Sequence, residues 1–393
     1  MNLAVEQHQD YGTSTSWCEV SRAAIDANIA TLRQRVGPKV TLGIVIKSDG
    51  FGHGLALCAR AFIDAGADWL IVNFAYEAAA IRRAGVDAPI YICGHVMPSQ
   101  APIVAETGAR VVLYDRAVAT ALSEAGRALG VDVPVHLKIE TGTHRQGLPL
   151  QEALNLARHV EALEGIVLEG LTTHYADIED TTDHNFAHHQ LTQLLGAQAA
   201  FREAGFTLPM VHSANSAATI LWPETHASLV RVGIAAYGLW PSTETYATVL
   251  QTSGHSGGFM PHLQPVLSWR THIAQVKAVP PGGYVGYGRT FRASYPMRIA
   301  VLPLGYHEGY DRRLSNLGHV LINGQRAPIC GRVCMNMTMV DVTHLDVSPG
   351  ATATLLGCDG DEKISAEQLA SWMGTINYEV VSRIHPSQPR HMA

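Results

Sequence analysis

The stretch TLGIVIKSDGFGHGLALCARAFIDAGADWLIVNF, residues 41–74, contains the repeating unit from which the fold can be inferred. An apolar, β-branched run (41–47) is followed by an amphipathic segment (52–66) and a second apolar run (69–74). Short apolar runs of this kind are typical of buried strands, and the segment between them is typical of a helix. The stretch therefore predicts a strand–helix–strand unit with parallel strands, in which Lys47 ends the first strand.

The same alternation extends to both sides of this unit. A helix is predicted over 21–37, with Ser21 as its N-cap. Eight strands joined by helical crossovers favour a TIM-type (β/α)8 barrel, with a doubly wound sheet as the alternative. The remaining predicted strands are 89–94, 110–114, 134–140, 168–174, 209–214 and 229–234, and the remaining predicted helices are 75–85, 98–108, 115–129, 150–163 and 183–204.

The pattern changes after about residue 245. Residues 250–260, LQTSGHSGGFM, are rich in Gly and Ser and predict a linker or a long loop. The segments beyond them are turn-rich and largely lack helical periodicity, which predicts a mainly antiparallel β domain. The sequence thus predicts an α/β chain with a barrel over 17–245 and a C-terminal β domain over 255–385, which the segment before residue 20 is expected to join.

Composition removes several classes of function. The formal net charge is −6 and there is no Lys/Arg-rich run, so neither nucleic acid nor an anionic membrane surface is an expected partner. No run approaches the ~18 apolar residues of a membrane span, and the N-terminus does not resemble a signal peptide. The 6 cysteines form no CxxC pair and the 20 histidines no HExxH motif. We therefore expect reduced thiols, no bound metal and a cytoplasmic location.

Reactive side chains collect at the predicted carboxyl ends of the barrel strands, where TIM barrels place their active sites. Lys47 is the most informative, because desolvation behind five apolar residues would lower its pKa and free its amine to form a Schiff base. Pyridoxal phosphate (PLP) needs such a lysine, a phosphate cradle and a partner for its pyridine nitrogen. Ser216 and the backbone N–H groups near Gly233 are candidates for the cradle. The further candidates at this end are Lys138, Arg145, His174, Asn215, Arg231 and Ile234.

Any one of these residues alone is more simply a solvent-facing polar side chain, but the presence of the whole set at one barrel face favours a functional site.

Several of these residues also lie in sequence segments that resemble those of a known enzyme family. KSDGFGHG (47–54) is similar to the cofactor-lysine motif of alanine racemases, usually K-A-[DN]-[AG]-Y-G-H-G. Eight further segments match in order, and the resemblance covers roughly residues 17 to 385: LKIETGTHRQGL, GLTTHYADIED, HSANSAA, RVGIAAYGL, VGYGRTF, LGYHEGYDRR, GRVCMNM and INYEVVSRI.

The resemblance implies a PLP-dependent racemase of a small amino acid, most simply alanine, which forms a head-to-tail homodimer with shared active sites. Lys47 would carry the cofactor and act as one base, and Tyr287 of the other subunit would act as the opposing base. Arg145 and the backbone N–H of Met335 would bind the substrate carboxylate. The other residues implied to bind the cofactor or to support the site are His174, Asn215, Ser216, Arg231, Gly233, Ile234 and Tyr378.

The implied chemistry is coherent. Racemisation removes a proton from one face of Cα and returns one to the other face, so two bases on opposite faces are expected. Arg231 is implied to face the pyridine nitrogen. Because a guanidinium stays protonated, it cannot readily give that nitrogen a proton. The cofactor would then withdraw electrons less strongly, which should suppress side reactions such as transamination.

Some residues depart from the family pattern. Phe51 stands where a tyrosine hydroxyl usually reaches the phosphate, so we expect weaker PLP retention unless water or Tyr378 compensates. Asn336 follows Met335 where an aspartate is frequent. The lysine matching Lys138 is often carbamylated and then orients the arginine matching Arg145; here Lys138 is equally well interpreted as a plain ion-pairing lysine.

Other functions remain open at this stage. A serine or broad-specificity racemase would share every motif above. A barrel-type PLP decarboxylase would share the architecture, but the segments around Tyr287 and Met335 fit it badly. A PLP carrier without catalytic activity would have a single barrel, whereas this chain has about 140 residues beyond one.

Overall fold

The computed structural model describes residues 14–253 and 259–393. The first 13 residues of the segment that is expected to join the β domain therefore lie outside the described residues, as do residues 254–258 of the predicted linker. The chain divides into two compact units. The barrel unit contains Ala23–Phe51 and Leu55–Pro265, and the β unit contains the described residues up to Arg22, Gly52–Gly54 and Val266–Ala393.

The barrel unit is built on eight parallel strands whose order follows the chain. The strands are β2 (Thr41–Val45), β3 (Trp69–Val72), β4 (Ile90–Ile92), β5 (Arg110–Leu113), β6 (Val133–Lys138), β7 (Ile166–Thr172), β8 (Met210–His212) and β9 (Leu229–Val232). Each strand pairs with the next from β2 to β8, and β2 also pairs with β9. Backbone bonds from Ser228 N–H to Val211 O (3.2 Å) and from Arg231 N–H to Ala214 O (2.9 Å) link β9 to the β8 side.

This circular order confirms the predicted TIM-type barrel and excludes the doubly wound sheet, whose strand order would reverse at a switch point. Leu42, Ile44, Leu70 and Ile71 are fully buried, so both faces of these strands are covered, as expected for a parallel barrel surrounded by helices. The helices of the barrel unit are Arg22–Val36, Leu55–Asp64, Ala75–Arg83, Ala101–Thr107, Arg116–Leu129, Leu150–Glu161, Asn185–Glu203, Ser216–Leu221 and Thr243–Ser253, with short 3-10 turns at Pro98–Gln100, Pro223–Thr225 and Ile234–Tyr237.

Local signals explain where these helices begin and end. The Asp115 carboxylate accepts hydrogen bonds from the backbone N–H groups of Ala117 (2.7 Å) and Val118 (3.0 Å), so it caps the helix that follows β5. The same helix ends at Gly130, which has the left-handed φ of 68° that glycine adopts without strain. Such caps leave the polar strand-end residues free to face the barrel mouth.

The β unit is mainly antiparallel, as predicted. Its strands are β1 (Ser16–Val20), β10 (Leu267–His272), β11 (Gln275–Val279), β12 (Tyr284–Val285), β13 (Phe291–Arg292), β14 (Met297–Leu302), β15 (His319–Ile322), β16 (Gln325–Pro328), β17 (Thr338–Asp341), β18 (Thr352–Asp359), β19 (Glu362–Ile364) and β20 (Arg390–Met392). The largest sheet has the order β16-β15-β18-β10-β1-β20, with β19 paired to β18, and a second sheet has the order β11-β14-β17. The unit also contains two short helices, Ala366–Met373 and Asn377–Ser382.

The two ends of the barrel unit bear on the predicted barrel over 17–245 and β domain over 255–385, which the segment before residue 20 is expected to join. Strand β1 pairs antiparallel with β10 and parallel with β20, and its alternating burial fits the sheet of the β unit. At the other junction the helix Thr243–Ser253 and the chain up to Pro265 stay with the barrel. None of the helices in the described part of the chain is long and apolar enough to cross a membrane.

Candidate active site

Lys47 lies two residues beyond β2 and opens a tight left-handed turn. The φ angles of Ser48, Asp49 and Phe51 are 56°, 57° and 51°. Left-handed backbone costs about 1–2 kcal/mol for each residue that has a Cβ, so this turn persists only because its surroundings hold it. The predicted strand 41–47 therefore ends early, at Val45, and Lys47 is half-buried at the barrel mouth.

A buried carboxylate, Glu77, holds this turn. Its Oε1 accepts the Ser48 N–H at 2.7 Å, and its Oε2 accepts the N–H groups of Asn73 (2.8 Å) and Phe74 (3.0 Å). Glu77 is 2% exposed and belongs to the first turn of the helix after β3. One side chain thus fixes the ends of two neighbouring strands and, with them, the backbone beside Lys47.

A phosphate cradle forms between β8 and β9. Ser216 begins a short helix, and its Oγ accepts the N–H groups of Gly233 (2.9 Å) and Ala235 (3.4 Å). Gly233 precedes the short helical turn Ile234–Tyr237. Backbone N–H groups that converge in this way favour an anion. The Phe51 ring closes the cradle, since its Cζ would lie 3.3 Å from a Cβ added at Gly233.

Asn215 has a structural task beside the cradle. Its side-chain oxygen accepts the Ala218 N–H at 2.9 Å and caps the helix that Ser216 begins. Its amide nitrogen donates to Glu179 at 3.2 Å. The Asn215 side chain therefore orients the cradle, and a direct contact between Asn215 and a cofactor remains a prediction.

The Arg231 guanidinium is buried at the barrel mouth, with 7% of the residue exposed. Its Nη1 donates to His212 Nδ1 at 2.5 Å, and its Nη2 donates to the carbonyls of Thr173 (2.9 Å) and Ser213 (3.0 Å). A longer contact of 3.4 Å joins Nη2 to His174 Nδ1. The Nε–H makes no hydrogen bond to a described residue, so it is the donor left for a ring nitrogen.

A chain of buried groups continues from Arg231 into the barrel. His212 Nε2 lies 2.7 Å from His136 Nδ1, and His136 Nε2 lies 2.8 Å from Glu169. Glu169 also forms an ion pair with Arg110 at 2.7 Å. Burial lowers the pKa of His136 and, together with Arg231, holds the pKa of His212 well below its usual range. Both rings are therefore neutral near pH 7.

Lys138, the last residue of β6, lies in the same positively charged mouth. Burial, reinforced by Arg231 and Arg145, lowers the pKa of Lys138 to about 7. Burial holds the pKa of His174 well below its usual range, and the nearby cations Lys138, Arg231, Arg145 and Lys47 lower it further. The structure thus brings Lys47, Lys138, Arg145, His174 and Arg231 close enough to couple electrostatically.

Tyr287, Met335 and Tyr378 belong to the β unit. Tyr287 is 73% exposed and lies in a tight turn next to the loop that carries Met335, since a Cβ added at Gly286 or Gly288 would contact Arg332. Met335 is 55% exposed. Tyr378 is half-buried on the helix Asn377–Ser382.

Sequence reasoning missed Glu77, His136, Glu169 and His212. Single polar residues inside apolar strands were the available signal for the two histidines, in VPVHLK and MVH. No comparable signal marked Glu77, because an acidic residue in a first helical turn is common on its own. Among the described residues there is no group of three or more His, Cys, Asp or Glu side chains that could hold a metal ion.

The barrel unit therefore fits PLP at three points. It has a lysine at the mouth, an anion cradle of N–H groups, and a buried guanidinium with one N–H to spare. A TIM-type barrel with such a mouth, in a chain that also carries an antiparallel β unit, defines the class of barrel-type PLP enzymes that act on amino acids.

Comparisons with known proteins narrow this class. The family model described as alanine racemase, N-terminal domain, matches residues 20–241, and the model for the C-terminal domain matches residues 266–392. The alanine racemase of Leptospira interrogans is 37% identical over 386 residues, 96% of each chain. That of Symbiobacterium thermophilum is 39% identical over 380 residues, 96% of this chain and 97% of its own. The chain belongs to the alanine racemase family, which is PLP-dependent.

Solved structures agree with the sequence relatives. The structure of alanine racemase from Bacillus anthracis with bound L-Ala-P is 32% identical, covers 96% of this chain and 95% of its own, and superposes with a TM-score of 0.88. These matches confirm the resemblance inferred from the motifs and the two-part fold. The decarboxylase and carrier alternatives are thereby removed.

Proposed function

We propose that this protein interconverts L-alanine and D-alanine with PLP, with Lys47 and Tyr287 as the two bases. The observation that carries the proposal is the barrel mouth itself, where Lys47, the Ser216–Gly233 cradle and the Arg231 guanidinium all lie at or just beyond the carboxyl ends of strands of one barrel. PLP, when bound, supplies an electron-withdrawing ring that makes the Cα proton of the amino acid more acidic.

The residues around the cofactor have distinct tasks in this proposal. Ser216 and the Ile234 N–H would hold the phosphate, the Gly233 N–H would be shared between Ser216 Oγ and the anion, and Tyr378 would add a further contact. Arg231 donates its Nε–H to the pyridine nitrogen. Because the guanidinium keeps its proton, Arg231 would not protonate the ring nitrogen and would limit electron withdrawal by a bound cofactor. This restraint favours proton return over side reactions.

Proton transfer falls to Lys47 and Tyr287 on opposite faces of Cα. The Lys47 amine takes a proton from one face or returns one to it, and the Tyr287 phenolic oxygen does the same on the other face. A tyrosine with an ordinary pKa near 10 needs its deprotonated form stabilised. His174 serves this need: its Nδ1 faces Arg231, so the proton of the neutral ring is on Nε2 and is available to donate.

The substrate carboxylate is bound by Arg145 and by the Met335 N–H. The Met335 carbonyl accepts the His307 N–H at 2.9 Å, whereas its own N–H donates to no described residue. An unused backbone donor on an exposed loop suits a carboxylate.

We infer that the protein acts as a homodimer with shared sites. Tyr287 and Met335 are both largely exposed on the β unit, although the proposal places both against a substrate. The β unit exposes further large apolar side chains, and a surface of this kind is typical of one that another subunit covers. Its other members are Tyr284, Tyr306, Leu317 and Met337.

Lys138 is a candidate for carbamylation. Because its pKa is lowered to about 7, a large fraction of its amine is neutral at neutral pH. The amine adds to CO2 to form a carbamate and releases one proton, which places a negative charge between Arg145 and Arg231. Incubation with ¹³C-bicarbonate tests this: a carbamate carbon resonance absent from Lys138→Ala supports it, and identical spectra leave Lys138 as an ion-pairing lysine.

Alanine is proposed as the preferred substrate, with serine or a broad range of amino acids as the alternative. The two enantiomers have equal free energy, so the reaction supplies D-alanine whenever a following reaction consumes it.

A cytoplasmic location is also part of the proposal, since all six cysteines are free thiols.

The deciding experiment is racemisation of a panel of L-amino acids by the purified protein with added PLP, read by chiral chromatography. We expect L-alanine to have the highest kcat/KM and Lys47→Ala to be inactive. Faster conversion of serine would move the substrate assignment to that amino acid. Protein that binds PLP but racemises no amino acid would contradict the proposed function.

A further inference from the structure

The loop that carries Met335 is tied to the segment Gly305–Glu308. Two backbone bonds connect them, from Tyr306 N–H to Cys334 O (3.0 Å) and from His307 N–H to Met335 O (2.9 Å). The approach requires glycine at position 305, since a Cβ there would lie 2.0 Å from Cys334 O. The backbone carbonyls of Cys334 and Met335, which flank the Met335 N–H along the chain, are therefore both held by this segment.

Glu308 adds a side-chain connection between the same two segments. Its Oε2 accepts the Gly305 N–H at 2.7 Å, and its Oε1 accepts the Asn336 side-chain amide at 2.6 Å. Asn336 directly follows Met335. Hydrogen bonds that involve a charged partner are roughly twice as strong as neutral ones, so Glu308 fixes the peptide next to the one that offers its N–H.

The net charge of Glu308 and Asn336 together suits a loop that binds an anionic ligand. The pair carries one negative charge, and both carboxylate oxygens of Glu308 already accept hydrogen bonds. An aspartate at position 336 would place a second carboxylate within hydrogen-bond distance of the first, where the two cannot both ionise without moving apart. It would also displace the loop on which the Met335 N–H depends.

We propose that Glu308 and Asn336 form a positioning pair for the carboxylate-binding N–H of Met335, and that no more than one of the two side chains can be a carboxylate. This inference rests on the proposed function, because it assumes that the Met335 N–H meets the substrate carboxylate. Neither residue contacts the reacting atoms, so the pair should control KM rather than kcat.

The test is a charge swap. Asn336→Asp should raise the KM for L-alanine about tenfold, the loss expected for one hydrogen bond to a charged group. Glu308→Gln alone should stay within about twofold of the parent KM, since Asn336 can turn its amide to accept from the new one. In the double variant, which combines Glu308→Gln with Asn336→Asp, the new amide donates to the new carboxylate while Gly305 keeps its bond. The double variant should therefore return KM to within about twofold of the parent.

A second readout isolates the carboxylate. Propionate has the carboxylate of alanine without the amine, and its Kd for the holoenzyme can be measured by calorimetry. The Kd should follow the same order as KM, whereas kcat should change little in all three variants. Glu362→Gln is the matched control, because it removes the same charge from a surface ion pair with Arg326.

The outcomes separate the inference from the function. An Asn336→Asp variant with parental KM, or a double variant no better than Asn336→Asp, would overturn the positioning pair while the parent protein still racemises alanine. A parent protein that racemises no alanine would overturn the proposed function and this inference together.

Discussion

Arg231 Nη1 lies 2.5 Å from His212 Nδ1, and this contact fixes the direction of a whole chain of hydrogen bonds. A guanidinium can only donate, so His212 Nδ1 accepts and the proton of the neutral ring is on Nε2. His212 then donates to His136 Nδ1, and His136 donates through Nε2 to Glu169. Arg231 is thus connected to a carboxylate, Glu169, through two neutral rings, in addition to its bonds to the carbonyls of Thr173 and Ser213.

Removal of the middle of this chain should affect both stability and cofactor binding. His212→Leu removes the hydrogen bonds that His212 makes to Arg231 Nη1 and to His136 Nδ1, so we expect a loss of about 2–3 kcal/mol in the free energy of unfolding, measured with urea. The Kd for PLP should rise as well, because Arg231 loses its orientation. His262→Leu, at an exposed histidine, is the control; equal effects in both variants would contradict the chain.

The position of Phe51 beside the phosphate cradle predicts how a hydroxyl added to this ring changes the affinity for PLP. Phe51→Tyr adds an oxygen at Cζ, the atom that lies nearest to Gly233. We expect PLP to bind about tenfold more tightly by equilibrium dialysis, since one hydrogen bond to a phosphate is gained. Phe186→Tyr adds the same hydroxyl to an exposed ring and should change nothing. An unchanged Kd in Phe51→Tyr would mean that water or Tyr378 already fills this role.

The left-handed turn after Lys47 predicts a strong effect at Glu77. In Glu77→Gln one carboxylate oxygen becomes an amide that faces backbone donors, so at least one of three hydrogen bonds is lost. We expect a loss of about 2 kcal/mol in the free energy of unfolding and faster release of PLP, followed by its absorbance. Glu106→Gln, at an exposed glutamate on the helix Ala101–Thr107, should match the parent.

Lys138 predicts a pH dependence of stability. Its pKa is lowered to about 7 in the folded protein, from a usual value near 10.4. Below both values the folded state bears the full cost of burying a charged amine. As pH rises from 7 towards 10, the unfolded state binds more protons than the folded one, so this cost disappears and stability rises.

The variant Lys138→Met lacks this titration. In CO2-free buffer, the free energy of unfolding of the parent protein should therefore rise relative to that of Lys138→Met between pH 7 and pH 10. Lys363→Met, at an exposed lysine, is the control. A constant difference between the parent and Lys138→Met across this range would contradict the lowered pKa.

The barrel could be predicted from the sequence because buried parallel strands leave a local signal. Each of the eight predicted apolar runs overlaps one observed strand. Six of the observed strands are shorter and lie within their runs, whereas β6 and β7 begin one and two residues before theirs. The early end of β2 was missed, since nothing local marks Ser48 or Asp49 as left-handed. That geometry depends on Glu77, which is 29 residues away from Ser48 in the chain.

The candidate site could be predicted only in part, for a related reason. Lys47 and Ser216 follow strands and Arg231 lies near the end of β9, so barrel topology places them at one mouth. The groups that support them could not be recognised in this way. His136 lies within β6 and His212 ends β8, and their roles follow from their contact at 2.7 Å, which no sequence spacing reveals.

The most direct test of the two-base account is solvent-deuterium incorporation by Tyr287→Phe, measured separately from L-alanine and from D-alanine. If Tyr287 takes the proton of the L-enantiomer and Lys47 that of the D-enantiomer, exchange from L-alanine should be nearly abolished, whereas exchange from D-alanine should largely persist. Equal losses for the two enantiomers would contradict the assignment of Tyr287 as the opposing base.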